Sequence, residues 1–287
     1  MSVSSPPQRF VLCADDYGLS PGVGTAIRDL IEQGRLSATS CMTVCPGWTD
    51  EAARLKPLAA RADIGLHLTL TDQAPLGAMP RLAPSGRLPP LGRLMLLALA
   101  RRLDPAEIAA EVRRQVDAFT AAFGAPPAFI DGHQHVHQLP IIRDAVIAAL
   151  KTLPGAYARL CREPAEAIAR RSIAVPKALL ISGLGRRFAA LVRRHGVPVN
   201  ASFRGVYDFA TNQPFPEMMG RFLDRVAPGT LVMVHPGIPD EELRRADPLV
   251  GPRAVEYEYL RSPAFATLLD SHNLRPGRFA ESAAGQG

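Results

Sequence analysis

Carboxylate and imidazole side chains follow short apolar runs at four separate places in this sequence. Both side-chain types are ligands for divalent metal ions in proteins, and both transfer protons in catalysis. The runs cover residues 10–14, 64–66, 128–130 and 231–234. The side chains that follow them are Asp15, Asp16, His67, Asp131, His133, His135, His137 and His235. The pattern predicts one site for metal-assisted or acid–base chemistry, assembled from distant parts of the chain.

The elements that must position these groups are buried parallel strands. Short apolar runs bounded by Gly, Pro or Asp are typical of such strands, and catalytic groups collect at the carboxyl ends of strands in α/β folds. Strands are predicted at 10–14, 38–44, 64–70, 128–130, 157–160 and 230–234, with a further short one near 197–199. Helices are predicted at 21–33, 48–60, 105–123, 139–150, 215–226 and 263–269, and most of 162–199 is expected to be helical. This alternation favours a single barrel-like domain over residues 1–287.

Two segments depart from the alternation. Residues 72–103 contain Pro75, Pro80, Pro84, Pro89 and Pro90, and are predicted to form an irregular insertion that acts as a lid or substrate-binding loop. The tail from about residue 280 is predicted to be disordered.

Composition limits the partners and the compartment. The net charge is +6, but only three of the 33 basic residues are lysine, and the arginine pairs favour solvated helix faces over a nucleic-acid surface. Those pairs are Arg101-Arg102, Arg186-Arg187 and Arg193-Arg194. No apolar stretch approaches the 20 or so residues that a membrane span needs. The four cysteines show no C-x-x-C spacing, and residues 1–9 lack the apolar core of a signal peptide, so we expect a cytoplasmic location.

Asp15 and Asp16 allow a division of labour at a strand end, where the chain turns and both side chains can reach one site. One carboxylate could hold a metal ion and the other could act as base for a water; alternatively, the pair caps the helix that begins near Ser20. His67, considered alone, is equally compatible with a hydrogen-bonded core histidine.

The stretch from Asp131 to His137 gives the strongest indication of a functional site. If it is extended, Asp131, His133, His135 and His137 share one face. Burying these groups together is costly unless a metal or a hydrogen-bond network satisfies them, and the alternative is an exposed polar turn.

His235 precedes Pro236-Gly237, a sharp turn that suits a proton donor at the rim of a site. One carboxylate and two imidazoles on a divalent ion, with open positions, are typical of hydrolytic metal sites. The sequence contains neither a G-x-S-x-G nucleophile motif nor a phosphate-binding loop.

These residues, in this order, resemble the YdjC-like carbohydrate deacetylases, the ChbG/HpnK family. The matching stretches are Ala14–Ser20, Ile64–Leu68, Ile130–His137 and His235–Gly237 with Asp240. The family commonly has serine at the position of Gly132 and phenylalanine at that of Tyr17, and neither difference removes a ligand.

The resemblance implies a deformed (β/α) barrel, TIM-like, and hydrolysis of an N-acetyl group from an amino sugar. Asp16, His67 and His133 would hold a divalent ion, either Mg²⁺ or Zn²⁺. Asp15 would be the base and His235 the acid, although His135 competes for that role. Supporting roles fall to Asp131, His135 and His137.

The acetylated substrate stays open at this stage, among a chitooligosaccharide, a hopanoid-linked amino sugar and another glycoconjugate, and a homodimer is a candidate assembly. One alternative function is a metal-dependent phosphoesterase, which the absence of Lys and Arg from the motif segments disfavours. The other is a non-catalytic metal- or glycan-binding protein.

Overall fold

Parallel strands form the centre of the structure, a computed structural model that describes residues 6–211 and 213–283. Within these ranges the strands are Gln8–Tyr17 (β1), Ala38–Cys41 (β2), Asp63–Leu68 (β3), Phe129–Gly132 (β4), Tyr157–Ala158 (β5), Ser202–Arg204 (β6), Thr230–Val234 (β7) and Leu274–Pro276 (β8). Their order is β5-β4-β3-β2-β1-β7-β6, and β8 pairs with the first residues of β1. Residues 10–14 of β1 are apolar at every position, and both faces of this part of the strand are buried. Such continuous apolar runs are typical of parallel strands that are covered on both faces.

Helices follow the strands. They are Pro21–Glu32 (α1), Trp48–Leu55 (α2), Leu91–Leu99 (α3), Pro105–Phe123 (α4), Ile142–Leu150 (α5), Ala165–Arg171 (α6), Val175–Arg194 (α7), Phe215–Leu223 (α8), Glu241–Ala246 (α9), Val250–Arg261 (α10), Pro263–Ser271 (α11) and Phe279–Ala283 (α12). Short 3₁₀ segments cover Lys56–Leu58 and His133–Gln138. The hydroxyl of Ser20 caps α1 by accepting from the amide of Val23, and the carboxylate of Asp104 caps α4 by accepting from the amides of Ala106 and Glu107.

The sheet curls until its two edges approach each other. Ala158 of β5 forms a parallel bridge with Val199, just before β6, and the amide of Phe203 in β6 donates to the carbonyl of Arg162 at 3.0 Å. The predicted deformed (β/α) barrel is therefore confirmed, and the carboxyl ends of its strands meet at one rim.

Several predicted elements differ in extent. The strand Thr230–Val234 is confirmed as predicted, but the second strand ends at Cys41 rather than at residue 44. The long helical region 162–199 is two helices, because Ser172 and Ala174 adopt left-handed backbone conformations between them. Sequence patterns did not predict β6, β8, α9, α10 or α12.

The two segments predicted to be irregular contain helices. Residues 72–90 lack regular structure, but α3 follows at residues 91–99, where prolines are absent and Leu94 and Ala98 pack into the core. Residues 279–283 form α12, with Ser282 buried, so the tail prediction is wrong up to residue 283 and its remainder lies outside the described residues. In the described ranges, every helix is too short or too polar to cross a bilayer.

Candidate metal and acid–base site

A cavity of about 440 Å³ opens where the strand ends converge. Six of the eight predicted site residues line it: Asp15, Asp16, His67, His133, His135 and His235. The other two, Asp131 and His137, are buried behind this wall. The cavity therefore brings together groups that are up to 220 positions apart in the chain.

Asp15 and Asp16 reach the cavity together because β1 is irregular at this point. Its register with β2 shifts between Ala14 and Tyr17, and Asp16 has a φ of 66°. Aspartate tolerates this left-handed conformation better than most residues, and a bulge re-aims side chains that would otherwise alternate between faces. The pair thus lies within the last residues of β1, rather than after it as predicted.

Asp16, His67 and His133 form the first cluster with metal-ligand geometry. The Oδ1 atom of Asp16 lies 3.2 Å from Nε2 of His67 and 2.9 Å from Nδ1 of His133. All three ligand atoms lie within 4.8 Å of one another. Tetrahedral ligands on ~2.1 Å bonds are about 3.4 Å apart, so small adjustments suffice to hold a divalent ion. Three protein ligands leave a position open, as catalytic sites require.

Asp131 orients His67. Its Oδ1 lies 2.7 Å from Nδ1 of His67, which leaves Nε2 directed at Asp16. Ser40 Oγ lies 2.7 Å from the same Nδ1. Burial lowers the pKa of His67, but the carboxylates of Asp131 and Asp15 raise it by more. In the metal-free protein the pKa is about 10. A carboxylate behind a ligating imidazole is the usual support for a metal site, so the donor set fits a metal.

Arg253 of α10 occupies the second oxygen of Asp16. Its Nη2 donates to Asp16 Oδ2 at 2.6 Å and to Asp247 Oδ2 at 2.5 Å. Burial raises the pKa of Asp16, but Arg253 and His133 lower it by more, well below its ordinary range. Asp16 is therefore ionised, with one oxygen fixed by Arg253 and the other left for a metal.

Arg159, just after β5, binds Asp15. Its Nη1 donates to Asp15 Oδ2 at 2.6 Å and its Nη2 donates to Asp15 Oδ1 at 2.5 Å. Nη2 also lies 2.6 Å from Oδ2 of Asp131. Burial raises the pKa of Asp15, but Arg159 and His67 lower it by more, below its ordinary range. Asp15 is thus a fixed carboxylate at the cavity wall.

The segment 133–137 is not extended, so the predicted shared face of four side chains is wrong. Gln134 and His135 have φ values of 53° and 61°, and the chain turns through a 3₁₀ segment. His137 consequently points away from the cavity, and its Nε2 donates to the carbonyl of Arg159 at 2.9 Å. A Cβ on Gly132 would lie 2.9 Å from the amide of His137, so a larger residue would crowd this turn.

His135 lies in the cavity wall against other side chains. Its Nδ1 is 3.5 Å from Sγ of Cys161, and its ring meets Phe203 edge-on at 5.5 Å. Burial, followed by His137 and Arg159, lowers its pKa well below the ordinary value. His135 is therefore a neutral group at neutral pH.

His235 follows β7 and packs edge-on against Phe209 at 5.2 Å. Its backbone amide donates to Oε2 of Glu256 at 2.5 Å, while Oε1 of Glu256 accepts from the hydroxyl of Tyr207. Burial lowers the pKa of His235 to about 4, although Asp16 and Asp15 act to raise it. Its Nδ1 is buried and has no hydrogen-bond partner within the described parts of the chain.

Sequence reasoning missed Arg159, Arg253 and Glu256. Arg159 interrupts the apolar run from residue 157 to 161, and a charge inside such a run is costly unless it is paired. That signal could have found it. Arg253 and Glu256 lie on α10, a helix that was not predicted.

The fold and the site together define a (β/α) barrel protein whose strand ends carry a cluster of carboxylates and imidazoles that could hold a metal ion. The chain belongs to the family described as YdjC-like protein, whose model matches residues 9–271. It is 30% identical to the chitooligosaccharide deacetylase of Serratia marcescens over 273 residues, covering 95% of this chain and 98% of that one. It is also 38% identical to the Yersinia pestis chitooligosaccharide deacetylase over 148 residues, which are 50% of this chain and 57% of the other.

A solved structure shares the fold. A protein from Enterococcus faecalis V583 assigned to cellobiose-phosphate cleavage superposes with a TM-score of 0.76 at 18% identity, covering 96% of this chain and 98% of that chain. At this identity the likeness establishes the architecture alone.

Proposed function

We propose that the protein is a metal-dependent hydrolase that removes an N-acetyl group from an amino-sugar-containing substrate. The observation that carries the proposal is the cluster of Asp16, His67 and His133 beside the separately held carboxylate of Asp15. The Serratia marcescens relative, named a chitooligosaccharide deacetylase and aligned over nearly the whole chain, supports the acetamide as the bond that breaks.

Asp16, His67 and His133 would hold the ion, and Mg²⁺ and Zn²⁺ are the candidates. When bound, such an ion supplies a Lewis acid that polarises a carbonyl and lowers the pKa of a water. Asp131 and Arg253 keep the ligand atoms of His67 and Asp16 in position through hydrogen bonds on their far sides.

Asp15 is the proposed base, because it is ionised and Arg159 fixes its orientation. The ion pair with Arg159 makes the Asp15 carboxylate a weaker base. Asp15 can therefore deprotonate a water only if the bound ion has already lowered the pKa of that water. His235 is the proposed proton donor to the leaving amine. With a pKa of about 4 His235 begins the cycle neutral, so the proton that Asp15 takes from water must pass to His235 before His235 can donate it to the leaving amine.

The alternatives gain no support from the geometry. The second cluster that could hold a metal, Cys13, Asp15 and Asp131, is already bonded by the guanidinium of Arg159, which argues against a two-metal phosphoesterase. Arg159 and Arg253 are both paired with carboxylates and do not offer a free phosphate site.

Acetate release from a panel of N-acetylated amino sugars tests the proposal. We expect release that a chelator abolishes and that added Zn²⁺ or Mg²⁺ restores. A metal-loaded protein that releases no acetate from any member of the panel would contradict it and favour the non-catalytic binding protein.

A further inference from the structure

Two polar side chains in the cavity wall, those of Asp72 and Gln73, have no bonding partner within the described parts of the chain. Both residues follow β3 and are half-buried. By contrast, the carboxylates and arginines beside the metal cluster hold one another in the ion pairs described above, and Lys177 donates to a backbone carbonyl at 3.0 Å. Gln134 and Nδ1 of His235 are also free, but Gln134 is exposed and His235 is the proposed acid. Asp72 and Gln73 are therefore available to a ligand, and the proposed reaction gives them no role.

Much of the remaining wall is apolar or aromatic. Tyr207 and Phe209 form an aromatic pair after β6, with ring centroids 4.5 Å apart. Val206, Met233 and Leu249 extend this surface, and α3 and α7 add leucine, isoleucine and methionine side chains. Apolar side chains offer no hydrogen bonds, and a sugar hydroxyl that loses water without gaining a partner weakens binding. The hydroxyls of a bound sugar must therefore find their partners among the few free polar groups of the wall.

Asp72 and Gln73 lie across the barrel from the aromatic pair. In one direction β4 and β5 separate β3 from β6, because the two edges of the sheet approach each other beside β5 and β6. In the other direction β2, β1 and β7 separate them. The two strands are thus close to opposite one another at the rim. A sugar ring bound in the cavity would have hydrogen-bonding groups on one side and aromatic rings on the other.

The loop that carries Asp72 and Gln73 is fixed by one face of α4. Glu107, Glu111 and Gln115 are four residues apart and share that face. Gln115 accepts from the amide of Thr69 at 3.0 Å and donates to its carbonyl at 2.8 Å. Glu111 accepts from the amide of Leu76 at 2.9 Å, and Glu107 accepts from two further backbone amides of the loop at 2.9 and 3.0 Å. The loop is therefore held at points on both sides of the free pair.

The backbone of the pair itself is also held. The amide of Leu88 donates to the carbonyl of Gln73 at 2.9 Å, and the amide of Gln73 donates to the carbonyl of Thr71 at 2.7 Å. Asp72 has a φ of 58°, a left-handed conformation that aspartate tolerates better than most residues. A fixed backbone reduces the ordering cost of binding a ligand. Of the two roles predicted for this insertion, these bonds favour a substrate-binding loop over a lid.

We propose that Asp72 and Gln73 bind hydroxyl groups of the acetylated sugar ring and thereby select a hydroxylated substrate. The C–H face of the ring packs against Tyr207 and Phe209. The carboxylate of Asp72 accepts hydrogen bonds from hydroxyls, whereas the amide of Gln73 both donates and accepts. The inference rests on the proposed N-deacetylation and names two specificity-determining residues for it.

Deoxy substrates test the inference. Acetate release by the metal-loaded protein is measured on the smallest N-acetylated amino sugar that the protein deacetylates, and on analogues that each lack one ring hydroxyl. We expect at least one analogue to lose tenfold or more in kcat/KM, because its absence leaves a half-buried polar group of the protein without a partner. No acetate from any N-acetylated sugar would remove the proposed function and this inference together.

Variants connect that loss to the two side chains. Asp72→Gly deletes the carboxylate, and glycine accepts the left-handed conformation at no steric cost, so kcat/KM on the parent sugar should fall about 10- to 100-fold. The same deletion should reduce the penalty of one deoxy analogue to less than threefold, since the missing hydroxyl no longer has a partner to lose. Asp72→Asn, which keeps an oxygen acceptor, should lose less than Asp72→Gly. Gln73→Ala should behave like Asp72→Gly, toward the same or a neighbouring hydroxyl.

Metal content distinguishes a binding role from general damage. Asp72→Gly and Gln73→Ala should retain the metal content of the unaltered chain, because neither residue is a proposed ligand. Asp117→Asn, on the exposed side of α4, is the matched control and should leave the deoxy penalties unchanged. A flat deoxy series in the unaltered chain would overturn the inference while the proposed function stands. Losses in both deletion variants that are equal for the parent sugar and for every analogue would also overturn it.

Discussion

Arg159 holds Asp15 in a two-pronged ion pair inside the protein, with both terminal nitrogens of the guanidinium within 2.6 Å of the carboxylate oxygens. The same guanidinium contacts Asp131, which in turn orients His67. The proposed base and a proposed metal ligand are therefore linked through one buried cation.

Asp15→Asn should abolish turnover and leave metal binding intact. The amide cannot take a proton, and Asp15 is not among the proposed ligands, so acetate release should fall at least a hundredfold. Metal content, measured by mass spectrometry of the purified protein, should match the unaltered chain. Asp117→Asn, on the exposed side of α4, is the control and should change neither quantity. Retained activity in Asp15→Asn would refute the base assignment.

His67→Ala should remove the bound metal together with the activity, whereas Asp131→Asn should weaken the metal affinity about 10- to 100-fold.

The pKa of His67 is raised in the metal-free protein, so an incoming ion must displace the proton of His67. Calorimetry in buffers of different ionisation enthalpy should therefore show proton release on metal binding at pH 7. His272→Ala, at the exposed end of α11, serves as control. Unchanged metal content in His67→Ala would be incompatible with the proposed ligand set.

The pH dependence of kcat/KM should show which form of His235 starts the cycle. Its pKa of about 4 leaves it neutral from pH 5 upward, and a bound cation would lower that pKa further. We therefore expect kcat/KM to hold level or rise between pH 5 and 8. A starting imidazolium would instead make kcat/KM fall tenfold per pH unit over this range, and that profile would contradict the proposed proton path.

Glu256 should make the stability of the metal-free protein depend on pH. Burial raises its folded-state pKa from the ordinary 4.5 to about 7, so the folded chain holds the proton more tightly. That contribution is complete below about pH 4.5 and is lost as the pH rises through 7, for a total of about 3 kcal/mol. Denaturant unfolding at pH 5 and pH 8 measures it.

Glu256→Gln should remove this dependence, because the amide does not titrate. Glu258→Gln, which lies on the same helix but is exposed, should retain it. Equal pH slopes for all three proteins would show that Glu256 is not the titrating group.

The strand-end residues were predictable because the apolar runs before them are unambiguous. The positions of His67 and His235 depend only on where β3 and β7 end, and a parallel barrel brings those ends together. His137 was misplaced because the left-handed conformations of Gln134 and His135 break the two-residue period. A prediction based on side-chain alternation assumes an extended chain and therefore cannot detect such a turn.

The charge partners were harder to predict. Arg253 and Glu256 lie on α10, whose polar and apolar residues are poorly segregated, so periodicity did not indicate a helix. Their roles follow from contacts with residues more than 20 positions away, and no local pattern encodes those contacts.

The order of these parts along the chain has a consequence for biosynthesis. Asp16, His67 and His133 leave the ribosome 120 or more residues before Arg253, the cation that balances Asp16. At 5–20 residues per second that interval is on the order of 10 s. A nascent chain thus carries the three proposed ligands well before Arg253 is made to balance the charge of Asp16, and a metal ion bound during translation would neutralise that carboxylate in the meantime.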